Sequence, residues 1–312
     1  MPQPSTLCVI TPNPALDRIL IVPELQPGTI RRVSDVQVAA GGKGFNVTRA
    51  AQAIEVNAVV CAPLGGLTGQ QVAWLAAQEG LPMHTVTIGG ETRICTLLID
   101  PTTERVTVLN EVGPCVSESE WREYVDRILA IPTAWYLICG SLPPGPPPTV
   151  LSYLIEVLHR CGRRVMVDTS GPALAAAVAA KPDVVKVNGA ELGSLLDVSI
   201  DNVAIAQRAV EHVYRQGISR VVVTLGAHGA VGIDKEGGVL AIPPPITAHN
   251  PIGCGDSFFA GFAAAISTGE SLAEALRIAT ACAVADAQTL APGAINRAVV
   301  DGLLPQVAIS YW

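Results

Sequence analysis

Short apolar runs alternate with longer stretches of helical spacing through most of the chain. Leu7–Thr11, Val59–Leu64, Trp135–Cys139, Arg164–Asp168, Val184–Val187 and Val221–Leu225 are largely apolar and end near glycine, proline or polar residues. Runs of this kind predict strands buried on both faces. Between them, helical spacing covers residues 41–54, 69–79, 121–131, 149–160, 172–180, 190–196, 201–216 and 257–267. Alternating strands and helices predict an α/β fold in three layers, α/β/α, with a mostly parallel central sheet. Other segments read differently. Residues 18–39, split by Pro27-Gly28, alternate apolar with polar, as do 83–87, 93–99 and 105–109. That alternation predicts strands with one wet face, which fit poorly inside a parallel sheet. A small β-sheet lid is expected beside the main one, inserted at about 18–40 and 83–110. Residues 229–242 predict a hairpin.

Composition narrows the classes. With 49% hydrophobic and 15% charged residues, the chain of 312 residues is not disordered. A net charge of −7 gives no general affinity for nucleic acid, so an anionic ligand needs a local cluster of cations. No apolar stretch approaches the ~18 residues of a membrane span. The N-terminus lacks the basic start of a signal peptide. The eight cysteines are scattered, without C-x-x-C spacing or clustered histidines. They read as free thiols of a cytoplasmic protein rather than disulfides or zinc ligands.

Candidate chemistry concentrates where strands end, which is where open α/β sheets bind ligands. The strand ends carry Asn13 and Asp17, Gly65-Gly66, Gly140-Ser141, Asp168-Thr169-Ser170, Asn188 with Glu191, and Gly226. The last of them is Gly253-Cys254-Gly255-Asp256, which opens an apolar helix. Bare amides at a helix start favour an anion. A carboxylate in such a place is repelled unless it has a task, and general base is the obvious one. An ordinary glycine turn fits the same letters. Gly41-Gly42-Lys43-Gly44 lacks P-loop spacing but offers flexible amides with a cation inside. Arg93 reads either as a ligand-binding cation or as a solvated charge on a lid strand. Asn188 and Glu191 fit both a helix capping box and a pair that orients waters around magnesium. Cys254 reads as a small residue in a tight turn rather than a nucleophile.

Together these residues resemble the ribokinase-like (PfkB) carbohydrate kinases over nearly the whole chain. Thr11-Pro12-Asn13-Pro14-Ala15-Leu16-Asp17 and Gly41-Gly42-Lys43-Gly44-Phe45-Asn46-Val47 are similar to the 1-phosphofructokinase and tagatose-6-phosphate kinase branch. Gly140–Gly145, Thr224–Ala230 and the Gly253-x-Gly255-Asp256 turn belong to the same pattern. The resemblance implies one kinase domain over 1–312, using ATP and Mg2+ to phosphorylate a sugar phosphate. Fructose 1-phosphate is the favoured substrate, with tagatose-6-phosphate kinase or 6-phosphofructokinase activity as alternatives. It implies Asp256 as base and the amides of Gly253, Cys254 and Gly255 as the anion hole. Asp17, Gly42 and Asn46 would hold sugar hydroxyls, and Lys43, Arg93 and Ser141 the substrate's own phosphate. Lys186, Asn188, Thr224, Gly226 and Gly229 would line the ATP site, with Glu191 placing magnesium through water. A homodimer through the lid strands is implied as well. A non-catalytic sugar-phosphate sensor on the same fold is the reading of another class. It predicts loss of Asp256 or of the turn glycines, and all are present. Cys254 and Pro251 stand where the family usually has alanine and a hydroxyl residue.

Overall fold

The computed structural model describes residues 7–103, 105–248 and 250–312. The first half runs β1 (Leu7–Ile10), β2 (Ala15–Ile21), β3 (Val36–Gly41), α1 (Lys43–Ala53), β4 (Ala58–Gly65), α2 (Gly66–Gln78), β5 (Met83–Ile88), β6 (Arg93–Asp100), β7 (Arg105–Asn110) and α3 (Glu118–Leu129). The central part is β8 (Trp135–Cys139), α4 (Thr149–Arg160), β9 (Arg164–Asp168), α5 (Gly171–Ala179), β10 (Val184–Asn188), α6 (Gly189–Leu196), α7 (Val203–Tyr214) and β11 (Arg220–Thr224). The hairpin β12 (Ala230–Asp234) and β13 (Gly237–Ile242) follows, then α8 (Cys254–Thr268), α9 (Leu272–Ala287), α10 (Arg297–Leu303) and β14 (Ala308–Tyr311).

The large sheet has the order β14-β13-β12-β11-β10-β9-β8-β1-β4-β5. It is parallel from β11 to β5, and β12, β13 and β14 add antiparallel strands at one edge. Successive residues of a strand feed opposite layers, as the period of two requires. Leu7 and Val9 of β1 join the core under α8 and α9, while Cys8 and Ile10 join the core under α3 and α4. Both faces are therefore buried, which is why the inner strands read as unbroken apolar runs. α8 packs between α1 and α9 and is apolar on every side. Its Phe259 and Phe262 are fully buried, each worth about 1.5–3 kcal/mol of burial.

The second sheet, β3-β2-β6-β7, is the expected lid. Two details of the expectation change. Residues 83–87 belong to β5, which pairs in parallel with β4 at the edge of the large sheet, not to the lid. An edge strand has one wet side, so it alternates as a lid strand does. The alternation over 30–35 forms no strand either; these residues are mostly exposed and β3 begins only at Val36. Among the described residues, no helix is long and apolar enough to cross a membrane.

Candidate active site

α8 starts at Gly253, whose φ of 96° is left-handed. A side chain there would meet Pro292 and come within 2.8 Å of Asp286 Oδ2, so both dihedral and space demand glycine. The Gly253 carbonyl accepts the amides of Asp256 (2.8 Å) and Ser257 (2.9 Å). The amides of Gly253, Cys254 and Gly255 find no backbone acceptor among the described residues. They leave unsatisfied donors at the positive end of a buried helix, a ready anion site. Asp256 stands in the first turn, buried, and its Oδ2 accepts from Asn46 Nδ2 of α1 at 2.9 Å. Burial raises its pKa to about 6; Lys43, Asn46 and Lys186 pull it down, and Asp168 pushes it up. The Cys254 thiol is pushed up to about 12, by burial first and then by Asp286 and Asp256. It is no nucleophile at neutral pH.

Beneath this turn, one carboxylate bridges two lysines. Asp168, at the end of β9, accepts Lys43 Nζ on Oδ1 (2.5 Å) and Lys186 Nζ on Oδ2 (2.6 Å). Burial works against its charge, yet Lys186 and Lys43 together hold its pKa below the ordinary value. Lys186 also donates to the Gly255 carbonyl at 3.0 Å and lies 6.0 Å from the centre of the Phe259 ring. It is buried and supports the Gly253–Asp256 turn from below. Lys43 reaches Glu191 Oε1 at 3.5 Å as well. Burial opposes its charge, but Asp168, Glu191 and Asp256 outweigh that and raise its pKa. The sequence marks Asp168 only as a strand end; nothing in it shows which lysines the carboxylate meets.

Arg93 and Ser141 do come together, through Asn13. Arg93 Nε and Nη2 donate to the Asn13 carbonyl (3.2 and 3.0 Å), and Asn13 Nδ2 donates to Ser141 Oγ (3.3 Å). Asn13 Oδ1 is buried without a partner among the described residues. Among the described residues Lys43 shares no hydrogen-bond partner with this group; its ammonium is turned to Asp168 and Glu191. Asp17, on β2, is buried against Gly41 and takes the Gly42 amide. Burial raises its pKa to about 7 against the pull of Arg49 and Arg93. Asn46 faces Asp256, so its amide nitrogen is already engaged.

On the far side, Asn188 caps α6 in a true capping box. Its Oδ1 accepts the Glu191 amide (2.8 Å), and Glu191 Oε2 accepts the Asn188 amide (2.9 Å). Thr224 Oγ1 contacts the Val187 carbonyl at 3.5 Å. Gly226 has open space where a side chain would stand, while a side chain at Gly229 would collide with the Ala241 carbonyl. Gly226 thus lets a ligand approach, and Gly229 keeps the turn closed on β13.

No cluster of three or more His, Cys, Asp or Glu suited to a metal occurs among the described residues. One acid beside a lysine fits a divalent ion held chiefly by phosphates and water, not one caged by protein.

Residues 8–297 match the pfkB family carbohydrate kinase pattern. The 1-phosphofructokinase of Rhodobacter capsulatus is 32% identical, over 96% of this chain and 99% of that enzyme. The ATP-dependent 6-phosphofructokinase isozyme 2 of Escherichia coli (strain K12) is 32% identical, over 87% of this chain and 89% of that enzyme. Phosphofructokinase-2 from Escherichia coli in its tetrameric inhibited form superposes with a TM-score of 0.91 at 29% identity, covering 97% of this chain and 99% of that one. With a match over nearly its whole length and relatives 32% identical, the chain belongs to the pfkB family of carbohydrate kinases.

Proposed function

We propose that the protein transfers the γ-phosphoryl group of ATP to a hydroxyl of a phosphorylated ketohexose, converting fructose 1-phosphate to fructose 1,6-bisphosphate. The observation that carries this reading is the pairing of two cationic places around one base. Lys43 and the free amides serve the transferring phosphoryl; Arg93, with Asn13 and Ser141, serves a phosphate already on the sugar. A kinase of free sugars has no use for the second place. The named relatives act on phosphorylated fructose by their names, which points the same way.

In this reading Asp256 takes the proton of the attacking hydroxyl. The sugar oxygen forms a bond to the γ-phosphorus as the bond to the β–γ bridging oxygen breaks, and ADP leaves with that electron pair. Lys43 and the amides of Gly253, Cys254 and Gly255 meet the charge on the equatorial oxygens. Asp17 and the Gly42 backbone orient the sugar. Asn188, Thr224, Gly226 and Gly229 border the nucleotide, and Lys186 holds the turn that carries the amides. Glu191 would face the waters of a magnesium ion, which neutralises phosphate charge when bound. Lid closure excludes water. The lid exposes Val36 and Leu109, with Ile30 and Val112 in the adjoining loops, which supports a dimer formed through it. The free cysteines suit a reducing cytoplasm.

ADP release measured over a panel of free and phosphorylated sugars tests the assignment. Fructose 1-phosphate should give the highest kcat/KM. Equal turnover of free fructose would remove the phosphate-binding role of Arg93, Asn13 and Ser141.

A further inference from the structure

Arg49 enters the site so far only through its pull on Asp17, yet its guanidinium touches three of the site's walls. It lies on α1, one turn beyond Asn46, with its side chain 14% exposed. Nη1 donates to Asn46 Oδ1 (3.0 Å) and to the Pro292 carbonyl (2.9 Å). Nη2 donates to the Ala40 carbonyl of β3 (2.9 Å) and to Glu79 Oε1 (3.1 Å), and Nε donates to Glu79 Oε2 (2.5 Å).

The chemistry of the contact with Asn46 is directional. Guanidinium has only donors, so it must face the amide oxygen of Asn46. The amide nitrogen is then left to face Asp256, where it donates at 2.9 Å. A donor on that carboxylate favours its charged form. Turned the other way, the Asn46 oxygen would oppose a carboxylate oxygen. The same guanidinium also fixes Pro292, the residue that a side chain at Gly253 would strike. Through Ala40 it holds the end of the lid strand next to Gly41, which backs Asp17.

We infer that Arg49 is a positioning residue for phosphoryl transfer, locking the Asn46 amide so that Asp256 is presented as a charged base. The inference rests on the assignment of Asp256 as the base. The charged groups around Asp256 are Lys43 of α1, Asp168 of β9 and Lys186 of β10, with Asp17 of β2 and Asp286 of α9 coupled to its charge. Variants at Arg49 leave these residues in place, but Arg49 also lowers the pKa of Asp17, so the acid limb is read in an Asp17→Asn background as well, where the shift should persist.

The test is the pH dependence of kcat for the purified full chain with fructose 1-phosphate and ATP. Arg49→Ala should lower kcat about tenfold or more with little change in KM, and move the acid limb upward by about one pH unit. Arg49→Lys keeps the charge but cannot hold four partners, and should restore part of the turnover. Glu79→Gln weakens the ion pair but spares the Asn46 contact, so its acid limb should stay where the parent's is. If Arg49→Ala does not fold, Asn46→Ala in the parent and in Arg49→Lys provides the measurement. The two changes should shift the limb less together than their separate shifts predict. An acid limb that coincides with the parent's in a folded Arg49 variant overturns the inference and leaves Arg49 a brace. Asp256→Asn, run alongside, separates the two levels. Near-normal turnover there removes the base assignment itself, whereas its collapse with an unmoved limb in the Arg49 variants removes only the role of Arg49.

Discussion

The Lys43–Asp168–Lys186 bridge and the Asp256 turn treat a buried carboxylate in opposite ways. Asp168 is 1% exposed and Asp256 is 7% exposed, so burial alone penalises both charges. Asp168 meets an ammonium on each oxygen, at 2.5 and 2.6 Å, and its pKa falls. Asp256 receives one neutral amide and feels the lysines from further away, and its pKa rises to about 6. The first arrangement makes a permanent anion that aims two cations. The second keeps proton affinity close to neutrality, as a general base requires. Two aspartates of similar burial are therefore given different work by where the lysines point.

The largest effect should come from removing the proposed proton acceptor. Asp256→Asn keeps shape and burial, and turnover should fall about 10²–10⁴-fold with ligand affinity retained. Single-turnover assays together with ATP binding would check both halves. In the parent protein kcat should fall as pH drops through about 6, since the carboxylate is then protonated.

Asp168→Asn attacks the other half of the contrast. It leaves Lys186 buried and without its anion, and the fold should lose about 3–5 kcal/mol in urea denaturation. Its effect on Asp256 has a definite sign. Asp168 raises the pKa of Asp256, so its neutralisation should move the acid limb of kcat to lower pH. A limb that moves upward would show that the two carboxylates are not coupled as described.

Much of this was legible in the chain. The apolar runs announced the parallel strands because both faces of the sheet are covered, and the strand ends announced the site because parallel strands all present the same edge. Pairings across elements were not legible. Val185 lies beside Val167 in the β9–β10 register, which sets Lys186 near Asp168, but only the sheet order makes those strands neighbours. The alternation of β5 did not reveal which sheet it joins. The family resemblance groups Lys43 with Arg93 and Ser141, but the sequence does not show that Lys43, at the start of α1, reaches Asp168 and Glu191. Arg49 gave no signal, since an arginine within a helix ordinarily reads as solvated.

Arg93→Ala should sharpen the contrast on the sugar side with a smaller effect. Its guanidinium is anchored on the Asn13 and Glu111 carbonyls and takes no part in proton transfer. Loss of one charged hydrogen-bonding group should raise KM for the sugar phosphate about 10–100-fold and change kcat little. Steady-state kinetics with the ATP concentration held saturating would show it. An equal rise in KM for ATP would assign Arg93 to the nucleotide instead.

The smallest effect concerns Cys254, within the Gly253–Asp256 turn itself. Its side chain is half-buried and its thiol contacts the Asn250 carbonyl at 3.6 Å. The thiol stays protonated, held up near 12 by burial and by the Asp286 and Asp256 carboxylates. The proposed mechanism uses only the backbone amide at this position, which any residue but proline supplies. Cys254→Ala keeps that amide and should leave kcat and KM within about twofold, at a stability cost of about 1 kcal/mol or less. Cys254→Pro removes the amide and should cost far more turnover than the alanine change. If alanine is as damaging as proline, the thiol rather than the amide is what the turn needs, and the anion-hole account of residues 253–255 fails at its centre.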